Sequence, residues 1–79
     1  MDEVLREIQR VLRDELGLSR EVRAEDDLIH DLQLDSVGIL TLVVGLEDRF
    51  RIALAEEDAA KVRTVGDLAA LVAQRSKPC

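Results

Sequence analysis

Aromatic residues and cysteines are almost absent from this sequence. It contains no tryptophan, no tyrosine and a single phenylalanine, Phe50, while 47% of its residues are hydrophobic and 35% are charged. A core must therefore be built from leucine, valine, isoleucine and alanine, as in a small helical bundle. The one cysteine, Cys79, excludes an internal disulfide, and no cluster of histidine and cysteine suggests a metal site.

Basic residues are also few. The chain has 11 lysines and arginines against 17 aspartates and glutamates, for a net charge of -6. Most of the negative charge lies between residues 25 and 58, where ten acidic residues stand beside two arginines. Such a surface argues against binding to nucleic acid or to an anionic membrane, because phosphate groups attract lysine and arginine. It favours partner proteins that carry basic patches.

Long hydrophobic runs and targeting signals are lacking too. The most apolar stretch, residues 39–46, is too short to span a bilayer. Residues 1–6 do not have the basic segment and apolar run of a signal peptide. We therefore expect a cytoplasmic, monomeric protein. Its 79 residues suffice for a single domain over residues 1–79, with its small core at about residues 4–72 and a flexible tail over residues 74–79.

The N-terminal third predicts one helix followed by a long loop. Apolar residues recur at spacings of three and four from residue 2 to about residue 16, which predicts an amphipathic helix ended by Gly17. Residues 18–34 show no sustained periodicity, so we expect a loop that crosses the bundle. Four apolar residues are expected to hold this loop against the core: Val22, Leu28, Ile29 and Leu32.

The middle of the chain predicts a long helix with two apolar stripes. Asp35 has the properties of an N-cap and Ser36 those of the first helical residue, so the serine hydroxyl is expected at an exposed helix N-terminus. The helix should extend to about Arg51. One stripe is assigned to the core: Ile39, Leu42, Val43, Leu46 and Phe50. The other is a candidate docking face unless the crossing loop buries it: Val37, Leu40 and Val44.

The C-terminal third predicts a short helix and a last main helix. Residues 56–61 are expected to form a brief acidic helix, whose N-terminal carboxylates suit the helix dipole. Thr64 and Asp67 have the spacing of a capping box, which predicts the start of the last helix. Its buried face is expected to comprise Val65, Leu68, Ala69, Leu71 and Val72. The predicted fold class is all-α, with three main helices, one short helix, a long first loop and no β-sheet.

The residues around Ser36 resemble the phosphopantetheine attachment region of acyl carrier proteins and of their peptidyl-carrier relatives. The resemblance rests on Asp31, Leu32, Asp35, Ser36, Val37, Leu42, Leu46, Glu47 and Phe50, and it extends over about residues 4–72. It implies the helical fold of that family and a carrier that is not an enzyme. It also implies a covalent 4'-phosphopantetheine on Ser36, beside the motif residue Asp35, taken from coenzyme A. The thiol of that arm would hold an acyl or aminoacyl group as a thioester.

The resemblance further implies a set of partners and a surface that binds them. A phosphopantetheinyl transferase, a loading enzyme and downstream synthases or transferases are the expected partners. That family uses the positions of Val37, Leu40 and Val44 for docking. Several carboxylates would flank this face and contact basic residues of a partner, with a plainly solvated surface as the alternative: Glu47, Asp48, Glu56, Glu57 and Asp58.

Four positions depart from the usual pattern of the family. Gln33 stands where a glycine is usual, Val37 stands where leucine is often found, and Gly38 and Thr41 stand where fatty-acid carriers have carboxylates. We therefore expect a stand-alone carrier for a specialised pathway of the polyketide or nonribosomal peptide type. Two alternatives stay open, namely a peptidyl or aminoacyl carrier loaded by an adenylating enzyme and an unmodified helical interaction module. His30 is expected to be a surface histidine and not a base, so no catalytic residue is predicted.

Overall fold

The computed structural model describes residues 2–76, except for the side chains of Asp2 and Glu56. It contains four helices, which are α1 (Asp2–Leu16), α2 (Ser36–Phe50), α3 (Glu56–Ala60) and α4 (Val65–Ser76). Over residues 2–76 there is no strand, and an isolated β-bridge joins Asp27 to Thr64. The predicted all-α class, with three main helices and one short helix, is confirmed. Within the same residues, no helix combines the length and the hydropathy needed to cross a bilayer.

The ends of α1 and α2 follow from left-handed backbone conformations. Gly17 has a φ of 68° and donates its N–H to Arg13 O at 3.1 Å, and Leu18 N–H reaches back to Leu12 O at 2.9 Å. The Gly17 bond is the five-residue bond of the αL motif, as expected from a glycine at this position. Arg51 ends α2 with a φ of 54°. Both loops therefore turn away from their helices within one residue.

The core lies between α1, α2 and α4. Its fully or largely buried side chains are aliphatic and comprise Val4, Ile8, Val11, Leu12, Leu28, Leu32, Leu42, Val43, Leu46, Leu54, Val65, Leu68, Ala69 and Val72. The predicted core stripe of α2 is confirmed at Leu42, Val43 and Leu46, whereas Ile39 and Phe50 at its two ends are half-buried. Each of the two lies in a terminal turn of α2, where fewer neighbouring elements surround a side chain.

The long loop before α2 is attached to the segment before α4. Three backbone hydrogen bonds connect them, from Leu28 N–H to Arg63 O (2.9 Å), from Val65 N–H to Asp26 O (2.9 Å) and from Gly66 N–H to Ala24 O (2.8 Å). Leu28 and Leu32 are buried, and Val22 packs against the core, as predicted. The loop is therefore an ordered part of the bundle, and it holds the start of α2 in place.

Two expectations need correction. Ile29 was expected in the core, but 59% of it is exposed, because the Asp27 carboxylate accepts the N–H groups of Ile29 (2.8 Å) and His30 (2.9 Å) and so forms a tight turn. Within this turn Leu28 is buried and Ile29 is exposed. The helix α4 continues to Ser76, so residues 74–76 are helical where a frayed tail was expected. Cys79 lies outside the described residues.

Candidate functional site

Ser36 is the first residue of α2, and its side chain is exposed. Asp35 has an extended backbone (φ -94°, ψ -175°), and its carboxylate accepts the Gly38 N–H at 2.7 Å. The Asp35 carbonyl accepts the Ile39 N–H at 2.9 Å. Both bonds are those of an N-cap, which confirms the predicted cap and explains why the helix begins here. The Ser36 hydroxyl is thus held at the positive end of a helix of 15 residues.

The backbone just before the cap has a left-handed residue. Gln33 has a φ of 57°, which an L-residue other than glycine adopts only at a cost of about 1 to 2 kcal/mol. The next residue, Leu34, donates its N–H to Leu28 O at 3.0 Å, which closes the turn into α2. Gln33 is therefore a glutamine at a position whose conformation suits glycine, and this conformation directs the chain toward Ser36.

An open apolar groove of about 610 Å³ begins at Ser36. This volume lies in the range of small-molecule sites in proteins, about 300 to 1,000 Å³. The groove is lined by Ile29, Ser36, Ile39, Leu40, Val43, Glu47, Leu54, Ala59, Ala60 and Val62. One wall is α2, the opposite wall is α3 with its flanking residues, and Ile29 lies at the loop side. Apart from Ser36 and Glu47, every lining residue is apolar, so the groove suits a hydrocarbon chain.

The second apolar stripe of α2 is exposed, as one of the two sequence interpretations required. Val37, Leu40 and Val44 are 68%, 62% and 52% exposed, so the crossing loop does not bury them. Ile29, which the sequence pattern had assigned to the core, is a fourth exposed aliphatic residue, and it lines the 610 Å³ groove together with Leu40. Leu40 and Val44 also line a second groove of about 440 Å³ together with Asp48.

The carboxylates expected to surround this face have different environments. Glu47 is half-buried, and its Oε2 accepts the backbone N–H of Leu54 at 2.8 Å. Asp58 forms an ion pair with Arg75 of α4. Asp48 and Glu57 are exposed, and the side chain of Glu56 lies outside the described part of the chain. Only some of these carboxylates are therefore directed at solvent.

Two aspartates have a pKa below the usual value, and both are structural. The N–H groups of His30 and Ile29 stabilise the charged form of Asp27 and lower its pKa. Bonds from the backbone of Thr64 and Arg63 lower the pKa of Asp67 in the same way. His30 is exposed on the loop, as expected. Among the described residues, no group of histidine, cysteine, aspartate and glutamate could hold a metal ion.

The structure brings together a small set of features. An exposed serine stands at a helix N-terminus, an apolar groove begins beside it, and an exposed aliphatic stripe continues along the same helix. This arrangement is typical of a carrier domain, which presents a group attached to its surface to other proteins.

Comparison with known proteins agrees with this class. The family model described as "Phosphopantetheine attachment site" matches residues 6–72. The chain is 36% identical over 72 residues to an acyl carrier protein of Exiguobacterium (90% of this chain and 91% of the relative). It is 34% identical over 73 residues to one of Kineococcus radiotolerans (91% of this chain and 90% of the relative). The chain therefore belongs to the acyl carrier protein family.

Solved structures extend the comparison. The chain is similar to a putative acyl carrier protein of Mycobacterium tuberculosis, with 37% identity and a TM-score of 0.76 over 92% of this chain and 93% of the other. An acyl carrier protein of Thermotoga maritima has a TM-score of 0.86 over 94% of this chain and 87% of the other. Its identity is 24%, so this likeness concerns the fold. Members of the family are carriers and not catalysts, and they bear a covalently attached 4'-phosphopantetheine.

The residues at the start of α2 fit such a group. The phosphate of the arm would lie at the N-terminus of a helix of 15 residues, where the helix dipole and the first backbone N–H groups favour an anion. The hydroxyl of Ser36 is accessible, and an apolar chain attached to the arm could lie in the groove that begins at this residue.

The lining of this groove was largely missed by sequence reasoning. Ile29, Leu54, Ala59, Ala60 and Val62 come from three separate segments. The hydrophobic pattern marks Leu54 and Val62 as apolar, but no local signal indicates that they face α2. The opposite wall, at residues 54–62, is set by packing against the lining residues of α2, which lie 7 to 26 positions earlier in the chain.

Proposed function

We propose that Ser36 is the attachment residue for 4'-phosphopantetheine and that the protein carries acyl intermediates in a specialised biosynthetic pathway. The observation that carries this proposal is the exposed Ser36 hydroxyl at the capped start of α2, at one end of an apolar groove. When attached, the arm supplies a terminal thiol that holds an acyl group as a thioester.

The attachment step requires little chemistry from this chain. The Ser36 oxygen forms a bond to the β-phosphorus of coenzyme A, the pyrophosphate bond breaks, and adenosine 3',5'-bisphosphate leaves. The adjacent carboxylate of Asp35 is engaged by the Gly38 N–H, so we assign removal of the hydroxyl proton to the phosphopantetheinyl transferase. Ser36 is therefore a modified residue, and Asp35 serves it by capping the helix.

The docking face for partners would be the exposed stripe of α2. Val37, Leu40 and Val44 are the apolar contacts, and exposed aliphatic groups of this kind mark interaction surfaces. Asp48 and Glu57 supply exposed carboxylates for basic residues of a transferase, a loading enzyme or a synthase. Such charges would mainly accelerate the encounter, while the aliphatic side chains provide the contact area.

A restricted set of partners is suggested by the start of α2. The first turn of α2 has no acidic residue, and its Gly38 is buried. The next turn carries Thr41, whose hydroxyl donates to Val37 O at 2.9 Å. This surface is more apolar than the sequence pattern expected of fatty-acid carriers. It favours a dedicated pathway of the polyketide or nonribosomal peptide type. We further propose that the carrier is cytoplasmic and monomeric.

Intact-mass measurement after incubation with coenzyme A, magnesium and a broad-specificity transferase tests the attachment. The wild-type chain should gain one phosphopantetheinyl group and Ser36→Ala should gain none. Modification of Ser36→Ala, or no gain by the wild type with several transferases, would contradict the assignment. No gain at all would favour the unmodified interaction module.

Loading assays on the modified chain test the pathway. Efficient loading by the malonyl transferase of a fatty-acid synthase, equal to that of its own carrier, would contradict a specialised role. Loading by an adenylating enzyme would identify an aminoacyl or peptidyl carrier.

A further inference from the structure

The wall of the groove opposite α2 has few attachments of its own. It consists of the connector after α2, the five-residue helix α3 and Val62. The N-cap of α3 is Ala55, which has no side chain able to accept a hydrogen bond. Helices this short are marginal by themselves, so the position of the wall must depend on its apolar packing against the core and on polar bonds to the rest of the bundle.

Glu47 supplies the polar attachment between α2 and this connector. Its backbone carbonyl accepts the Ile52 N–H at 3.1 Å, and its carboxylate accepts the Leu54 N–H at 2.8 Å. Leu54 is buried and lines the groove together with Glu47 itself. Farther along, the Asp58–Arg75 ion pair connects α3 to α4. The wall is thus connected to α2 through Glu47 and to α4 through Asp58.

We propose that Glu47 is a positioning residue for the cargo groove: its bond to the Leu54 N–H holds the far wall against α2 and thereby shields an apolar chain carried on Ser36. This inference rests on the function proposed above, and it replaces the role of partner contact that the acidic pattern had suggested for Glu47. The bond has a charged acceptor and is half-buried, which makes it stronger than an exposed neutral bond. Its loss leaves the N–H of a buried residue unpaired.

Two substitutions at this position separate the positioning role from a role of charge. Glu47→Gln keeps an acceptor oxygen and removes the charge, whereas Glu47→Ala removes both. A positioning role predicts that the glutamine variant, which keeps a weaker neutral bond, lies closer to the wild type than the alanine variant does. A contact with basic partner residues predicts that both variants bind the partner less well and to the same degree, because both lack the charge. Asp48→Asn and Asp48→Ala are matched controls, since Asp48 is the next residue of α2 and is exposed.

The first measurement is amide hydrogen exchange by NMR on the unmodified chain. We expect the Leu54 amide to exchange about tenfold faster or more in Glu47→Ala, because it loses a charge-assisted bond. It should change by a clearly smaller factor in Glu47→Gln, which keeps a neutral bond to the Leu54 N–H, and by less than twofold in both Asp48 variants. The Leu46 amide in the core serves as the reference for global unfolding, so only acceleration at Leu54 beyond that at Leu46 counts.

The second measurement uses octanoyl and acetyl groups as probe cargoes. A transferase attaches the acylated arm from octanoyl- or acetyl-coenzyme A, and the thioester is then cleaved with hydroxylamine. In the wild type the octanoyl thioester should react several-fold more slowly than the acetyl thioester. Glu47→Ala should abolish this difference and Glu47→Gln should retain it.

The results that would contradict the positioning role differ from those that would contradict the proposed function. Any of three results would overturn the positioning role alone. The octanoyl thioester could stay as slow to react in Glu47→Ala as in the wild type, the two Glu47 substitutions could have equal effects, or the two thioesters could react at the same rate in the wild type. A wild-type chain that gains no acylated arm, as judged by intact mass, would overturn the proposed function together with this inference.

Discussion

Replacement of Gly45 by alanine should destabilise the protein, although alanine is the better helix former. Gly45 is buried on α2 and faces Val11 of α1. A Cβ atom at this position would lie 2.8 Å from Val11 Cγ1 and 3.5 Å from Val11 Cγ2. The shorter distance is well below the optimal separation of two carbon atoms, about 3.5 to 4.0 Å. Valine in a helix has one strongly preferred rotamer, so Val11 cannot turn away at low cost.

Two opposing terms decide the magnitude. Alanine in place of glycine within a helix stabilises by about 0.8 to 1.0 kcal/mol. Insertion of a methyl group into a packed interface costs about 1 to 3 kcal/mol. The expected net loss in the free energy of unfolding of Gly45→Ala is therefore about 1 kcal/mol, which corresponds to a decrease in Tm of about 4 to 8 °C for a domain of this size.

A double-mutant cycle with Val11→Ala gives the matched control. Val11→Ala alone should destabilise the protein, because Val11 is fully buried. In that background the methyl group of Gly45→Ala has space, so the second substitution should be neutral or stabilising, with a coupling of about 1 to 2 kcal/mol. Urea unfolding followed by circular dichroism measures all four chains. Stabilisation by Gly45→Ala in the wild type, or the same effect in both backgrounds, would refute the reasoning.

Three further predictions concern the loop and α4. Gln33→Gly should raise the free energy of unfolding by about 0.5 kcal/mol, because relief of a left-handed backbone (about 1 to 2 kcal/mol) exceeds the entropy that glycine adds to the unfolded chain (about 0.4 to 1 kcal/mol). Gln33→Ala is the control, and an equal gain for it would contradict this explanation. Thr64→Ala should cost about 1 kcal/mol by urea unfolding, because Thr64 Oγ1 accepts the Asp67 N–H at 3.1 Å while Asp67 Oδ2 accepts the Thr64 N–H at 3.2 Å. Thr64→Ser should retain most of that stability, and equal losses for the two variants would exclude the cap as the cause. The pKa of Asp67 is lowered in the folded state, so its contribution to stability is complete above its unfolded pKa, about 3.9, and is lost as pH falls through the lower folded pKa. Asp67→Asn should therefore weaken the decline of stability below about pH 4, and an unchanged acid profile would argue against this origin.

The parts of the structure that the sequence predicted depend on residues close together in the chain. The Asp35 cap, the capping box of Thr64 and Asp67 and the end of α1 at Gly17 are each completed within three or four residues. Each cap is a bond between residues three or four positions apart, so a short sequence pattern suffices to predict it. The exposed stripe of α2 follows from the helical period once its start at Ser36 is known.

The tertiary structure decided everything that depends on contacts between distant segments. Leu28 and Ile29 are adjacent and equally apolar, yet the turn around Asp27 buries one and exposes the other beside the groove. Glu47 belongs to an acidic pattern that suggests solvent, yet the return of the chain after α2 places the Leu54 N–H against its carboxylate. Periodicity and the local cap patterns therefore predicted the helices and the place of Ser36 at the start of α2, because they act through local backbone geometry. The groove and the roles of its residues exist only after packing, since they require segments that no local pattern connects.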